Sequence, residues 1–126
     1  LCLWATPWNL EETFQLALGE YYYRLKQGEN VTINDEYGQV VLHPDFINDF
    51  IQYDLLECAK RVSQCSMLVL HGDKDPIVPV AQARKLFSVA CGKKKLTIIK
   101  GGDHQFLNNY QQATEAVLDW LKNSIP

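Results

Sequence analysis

The sequence predicts a mixed α/β fold: a parallel sheet covered by helices, interrupted by a separate segment of short helices and a hairpin. Three observations predict it. Residues 64–126 alternate apolar strand, amphipathic helix, apolar strand, amphipathic helix, the rhythm of right-handed crossover units. Met67-Leu68-Val69-Leu70 is apolar at every position, as a strand covered on both faces requires. Residues 8–63 break that rhythm and are irregular and rich in aromatics.

Taken in order, Leu1-Cys2-Leu3-Trp4-Ala5 reads as a short strand that stops at Thr6-Pro7, because proline cannot continue a ladder. Residues 1–7 therefore belong to the sheet. Asn9 is a candidate N-cap, with Glu12 three residues on, as in a capping box. Leu10, Phe14, Ala17, Leu18, Tyr21 and Leu25 follow at helical spacing, and Gly28 ends that helical region. Val31-Thr32-Ile33 and Val40-Val41-Leu42 flank Asn34-Asp35-Glu36-Tyr37-Gly38, which reads as a hairpin. After Pro44, Phe46, Ile47, Phe50 and Ile51 form the apolar face of a short helix, and a further helical stretch is expected between Asp54 and Val62. Helix, hairpin and short helices within residues 8–63 predict an inserted subdomain.

From residue 64 the pattern is cleaner. The strand through Leu70 precedes a helix with Ala83, Leu86, Phe87 and Ala90 on one side, stopped by Gly92. Leu96-Thr97-Ile98-Ile99 is expected as a second buried strand. The last helix places Ala113, Ala116, Val117, Trp120 and Leu121 on one face.

The totals narrow the functional classes. The chain has 126 residues, which suits one domain. A net charge of −3 gives no support for nucleic-acid binding, which usually shows a basic patch. No apolar run approaches the roughly 20 residues that span a bilayer. The only methionine is Met67, no charged segment precedes an apolar stretch, and the chain opens inside an apparent strand, so more protein is expected upstream. Cys2, Cys58, Cys65 and Cys91 match no zinc spacing and are expected to be reduced, mostly buried thiols of a cytoplasmic protein. A Cys58–Cys65 disulfide is conceivable, but nothing in the sequence favours it.

The chemistry gathers at strand ends, where open parallel sheets place functional groups. The first strand of the C-terminal part runs into His71-Gly72-Asp73-Lys74-Asp75-Pro76-Ile77-Val78-Pro79, and the second into Lys100-Gly101-Gly102-Asp103-His104-Gln105-Phe106. Taken alone, each is an ordinary Gly- and Asp-rich connector. Together they are more specific, because neighbouring parallel strands lie about 5 Å apart and can bring an Asp and a His from the two turns into contact.

On these residues the sequence resembles the α/β-hydrolase family. H-G-D-K-D-P-I-V-P resembles that family's acid turn, G-G-D-H-Q-F its histidine turn, and the chain order agrees with the family's Ser, Asp, His. The opening strand resembles the one that precedes the family's cap, and residues 8–63 resemble the cap itself, most like esterases acting on cinnamoyl and other aryl esters. The resemblance implies the C-terminal part of an α/β-hydrolase sheet with an inserted cap. It implies Asp75 as catalytic acid and His104 as base, since the second Asp of the turn occupies the family's acid position. Asp73 is then a turn residue, and Asp103 cannot easily orient the imidazole next to it. Ile77 follows the acid and is a candidate substrate contact. Lining by Trp8 and the cap aromatics is also open, although a buried cap core is the simpler reading. His43 and His71 read as structural, one ending a strand and the other inside the acid turn.

The sequence departs from the family in one respect: the G-x-S-x-G elbow is absent, and Ser63, Ser66, Ser88 and Ser124 lie in no such context. The nucleophile and the oxyanion donors are therefore expected in an N-terminal half of the hydrolase core, the chain's implied partner. Alone, the segment is expected to be inactive and poorly soluble. The implied activity is serine-dependent cleavage of small carboxylic esters, with no cofactor and no metal, and with neither nucleic acid nor membrane as a partner. Two other readings stand beside it. An Asp or Cys nucleophile on the same fold would indicate a dehalogenase, an epoxide hydrolase or a dienelactone hydrolase. A non-catalytic binding protein could also use this scaffold.

Overall fold

A computed structural model describes residues 1–62 and 64–124. Its centre is a three-stranded parallel sheet in which β4 (Met67–Gly72) lies between β1 (Cys2–Trp4) and β5 (Lys94–Ile99). Cys2, Leu3 and Trp4 pair with Leu68, Val69 and Leu70, and the far end of β4 pairs Gly72 with Ile99. The expected parallel sheet is therefore present.

Every residue of β4 is buried. Its alternation sorts the core into two layers, because successive strand side chains point to opposite faces. Leu68 and Leu70 join Ile99, Phe106, Ala113 and Trp120 on the side of α6 (Tyr110–Ser124). Met67 and Val69 join Ala59, Ala83 and Leu86 on the side of α4 (Leu55–Arg61) and α5 (Val80–Val89). Fully burying one such side chain stabilises the fold by about 1.5–3 kcal/mol. The next residues continue the alternation, so His71 falls on the α5 side and Gly72 on the α6 side.

β5 corrects one expectation. Only Ile99 is fully buried there. Among the described strands β5 pairs with β4 alone, so it is an outer strand and its flanks stay partly open.

The segment between β1 and β4 contains α1 (Leu10–Leu18), α2 (Glu20–Lys26), the hairpin of β2 (Val31–Asp35) and β3 (Gly38–Leu42), and α3 (Asp45–Phe50), followed by α4. The hairpin forms with full antiparallel register from Val31↔Leu42 to Asp35↔Gly38. Asp35 caps its turn, accepting hydrogen bonds from the amides of Tyr37 and Gly38. Tyr22, Leu25, Val31, Ile47 and Phe50 make a small core of their own. Phe14 packs edge-on to Phe46 and stacks on Phe50 at ring separations of 4.8 and 5.0 Å. Of the aromatics in this segment, Tyr22 and Phe50 are buried in that core, whereas Tyr21, Tyr23, Tyr37 and Tyr53 are exposed.

The single helical region expected up to Gly28 is two helices. Gly19 breaks it with φ +53° and ψ −123°, a conformation costly for a residue with a Cβ. The break resets the helical phase, so Tyr22 is buried and Tyr21 is exposed, the reverse of what an uninterrupted spacing implies. Ile51, expected on the apolar face of α3, lies past its last turn and is exposed. The cysteines are a further correction: all four are unpaired, as expected, but all four are exposed. Cys58 sits on the outer side of α4, beside the buried Ala59. Cys65 and Cys91 occupy connectors, and Cys2 lies on the outer strand β1.

Candidate active site

Three glycines let the two strand-end turns touch. A Cβ on Gly72 would lie 2.1 Å from the carbonyl oxygen of Gly102, so the backbones meet where no side chain fits. Gly101 turns the chain with φ +76°. Backbone hydrogen bonds then join the turns: the amide of Asp73 donates to Ile99 O at 3.1 Å, and that of Lys74 to Gly102 O at 2.9 Å. The Asp73 carboxylate accepts the Gly101 amide at 2.6 Å, which makes Asp73 the turn residue expected.

These contacts bring the side chains of Asp75 and His104 together across 29 residues of sequence. His104 Nδ1 lies 2.8 Å from Asp75 Oδ2. The Asp75 side chain is fully buried, whereas that of His104 is about one-third exposed, at 34 %. Asp75 Oδ1 accepts the backbone amides of Ile77 and Val78, both at 2.9 Å. The carboxylate is thus held at one oxygen by the loop and offers the other to the imidazole. An Asp75 carboxylate accepts from Nδ1–H, which leaves His104 Nε2 as the ring's proton acceptor. The imidazole is oriented, supported by a negative charge and open on one edge, an arrangement suited to general-base chemistry.

The turn that carries His104 is anchored two residues on, at Phe106. Phe106 is fully buried and adopts φ +56°, unusual for a bulky residue. Its ring meets Trp4 edge-on at 5.0 Å. Asp103 accepts the amides of Gln105 and Leu107, so it caps the turn after β5 and does not face the imidazole.

The remaining candidates fall as follows. Ile77 is half-buried, and its contact with Asp75 is made by its backbone N–H. Trp8 packs against the α5 side of the sheet and also lines a cleft of about 470 Å³ with Phe50, Tyr53 and Leu55. A second cleft, of about 450 Å³, lies between α2 and α3. Neither is lined by Asp75 or His104, so the strand ends are identified as the site by their chemistry and not by concavity. His43 is exposed, with Nδ1 3.0 Å from Asn30 Oδ1.

His71 differs from expectation. It is not in the turn but in β4, fully buried, with Nε2 2.7 Å from Val78 O and 3.3 Å from Asp75 Oδ2. One signal could have found it: a histidine directly continuing a run of four buried apolar residues must hold a partner. Gln82 was also missed. It is buried on α5, and its Oε1 accepts the amides of Trp8 and Asn9, both at 3.0 Å. Its amide nitrogen donates to Glu12 Oε2 at 2.7 Å. Asn9 caps α1 as expected by accepting from the Glu12 amide, but Gln82 replaces the reciprocal arm of the capping box.

Among the described residues no group of three or more His, Cys, Asp or Glu could hold a metal ion, and no helix is long and apolar enough to cross a membrane.

Comparison with known proteins agrees with the fold. Est1E from Butyrivibrio proteoclasticus, in a structure with ferulic acid bound, superposes with a TM-score of 0.65 at 18% identity, over 82% of this chain and 45% of that one. The esterase domain of a Rhodothermus marinus protein gives 0.58 at 20% identity, over 77% and 41%. A monoacylglycerol lipase from Paleococcus ferrophilus gives 0.55 at 19% identity, over 86% and 51%. The chain thus spans about half the length, or less, of these proteins. No curated protein matches it in sequence. The sequence family described as secretory lipase matches residues 10–125. With that match spanning nearly all of a chain folded as an α/β-hydrolase, the protein belongs to the secretory lipase family.

Proposed function

We propose that the whole protein is a serine hydrolase of small carboxylic esters, in which Asp75 and His104 are the acid and base and residues 8–63 form the cap. The observation that carries the reading is the 2.8 Å contact between a buried carboxylate and a partly open imidazole at adjacent parallel strand ends. In this reading a serine on the part of the protein preceding Leu1 attacks the ester carbonyl. His104 Nε2 takes the serine proton and returns it to the departing alkoxide, and Asp75 holds the tautomer and stabilises the imidazolium. A water molecule, deprotonated by the same imidazole, then releases the acid from the acyl-enzyme. Assistance of this kind typically accelerates a reaction by about 10²–10⁴.

A serine nucleophile is preferred over Asp or Cys because the matching family is described as secretory lipase and two of the similar structures are named an esterase domain and a monoacylglycerol lipase. The ferulic acid bound to Est1E makes aryl-acyl esters the first class to assay. The test is a serine-directed fluorophosphonate. The whole protein is expected to be labelled stoichiometrically at one serine upstream, and residues 1–126 alone are expected to stay unlabelled. Labelling of Ser66, Ser88 or Ser124 would contradict the reading, as would an intact protein that cleaves esters without being labelled.

A further inference from the structure

The mechanism above leaves one buried histidine unused. His71 is fully buried, and its side chain reaches both the loop that carries Asp75 and the Asp75 carboxylate itself. Val78 O can only accept, so the 2.7 Å contact requires the ring proton to be on Nε2. Nδ1 is buried with no partner, and a proton there would face no acceptor. The one N–H therefore donates to the carbonyl of Val78, and Asp75 Oδ2 lies 3.3 Å from the same nitrogen as a close contact outside that hydrogen bond.

We propose that His71 is a positioning residue that closes the acid loop and, through Val78, holds the Asp75 carboxylate in the orientation that meets His104. Val78 is held twice, its amide donating to Asp75 Oδ1 and its carbonyl accepting from His71. The loop between β4 and α5 is thereby tied to the strand from which it departs. Asp75 Oδ1 accepts two amides of that loop, so the position of the loop sets the direction in which the rigid carboxylate presents Oδ2. His104 Nδ1 meets Oδ2 at 2.8 Å from the neighbouring turn, and the buried His71 ring nitrogen lies 3.3 Å from the same oxygen. His71 touches neither serine nor ester in this scheme; it acts through Asp75. The inference rests on the proposed roles of Asp75 and His104.

The test compares His71→Leu, which removes the donor, with His71→Gln, whose side-chain amide can reach about as far as Nε2. Two readouts are taken on the intact protein. One is the downfield proton resonance of His104 Nδ1–H in its hydrogen bond to Asp75, which reports the contact whatever the substrate. The other is kcat and KM for an aryl ester. His71→Leu is expected to broaden or lose the resonance and to lower kcat about 10–100-fold with KM nearly unchanged, as small misplacements of catalytic groups do. His71→Gln is expected to restore most of both. If His71→Leu fails to fold, His71→Asn replaces it, since its shorter amide cannot reach Val78 O. An unchanged resonance in the variant without the donor overturns the positioning role, even if ester cleavage is confirmed. A resonance lost in that variant, in a protein that cleaves no ester at all, would instead sustain the positioning role and overturn the proposed function.

Discussion

The strand ends and the segment between β1 and β4 are built by different means. At the strand ends, backbone meets backbone: the amides of Asp73 and Lys74 bond to carbonyls of the facing turn, and Gly72 presses on Gly102. The intervening segment carries its own core of Tyr22, Leu25, Val31, Ile47 and Phe50 and is tied to the sheet largely by side chains, with Gln82 the most connected of them. Backbone contact leaves little freedom for sequence or motion, whereas a side-chain clasp can open as a unit. A site that must hold an imidazole within tenths of an ångström of a carboxylate uses the first method. A segment with its own core can use the second.

The largest break in that contrast is Gly72→Ala. Its Cβ would fall on the Gly102 carbonyl, so the turns must separate and carry His104 away from Asp75. A loss of ester cleavage of about 10²–10⁴ is expected, the full value of general-base assistance, with the intervening segment still folded by hydrogen exchange. Phe106→Ala comes next. It removes the ring packed on Trp4 beneath the histidine turn and should cost about 3–5 kcal/mol in denaturant unfolding.

Gln82→Leu sharpens the comparison from the other side. It leaves the amides of Trp8 and Asn9 without their acceptor, at a cost of about 1–3 kcal/mol. Exchange protection should fall across α1 and α2 while the amides of Ile77 and Val78 stay protected. Equal loss in both regions would show that the two are not separable. The smallest effect concerns Glu11, which bonds Lys26 at 3.0 Å and accepts from the Tyr22 hydroxyl at 2.9 Å. Lys26, and after it Tyr22, hold the Glu11 carboxyl below its ordinary value. Its contribution is therefore complete above the unfolded carboxylate value and is lost as pH falls through the depressed one. Acidification should loosen α1 against α2 slightly, an effect absent in Glu11→Gln and weakened by salt.

The same contrast explains what the sequence made legible. Met67–Leu70, the α6 face and the two Gly- and Asp-rich turns are local patterns, and a parallel sheet leaves few ways to arrange them. That an Asp and a His of the two turns can meet followed from adjacency of strand ends, and the choice of Asp75 over Asp73 from the family resemblance. Gly19 was harder to read, because a glycine inside a helical spacing is often tolerated and only the packing of Tyr22 decides that it breaks the helix here. Gln82 gave no local signal, since its partners Trp8, Asn9 and Glu12 are some 70 residues away in sequence. The cysteines misled because a thiol packs as a small apolar group, yet all four lie on connectors or outward faces. His71 reads as a turn residue in the sequence because strand β4 extends two residues past its apolar run.

The central claim is that His104, oriented by Asp75, is the base for ester cleavage. It is tested most directly by comparing ester hydrolysis by the intact protein with that by Asp75→Asn and His104→Ala. Each is expected to lose about 10²–10⁴ in kcat, and the double variant no more than the worse single one, because the two residues act as a unit. Hydrolysis by His104→Ala at the rate of the unaltered protein would contradict it.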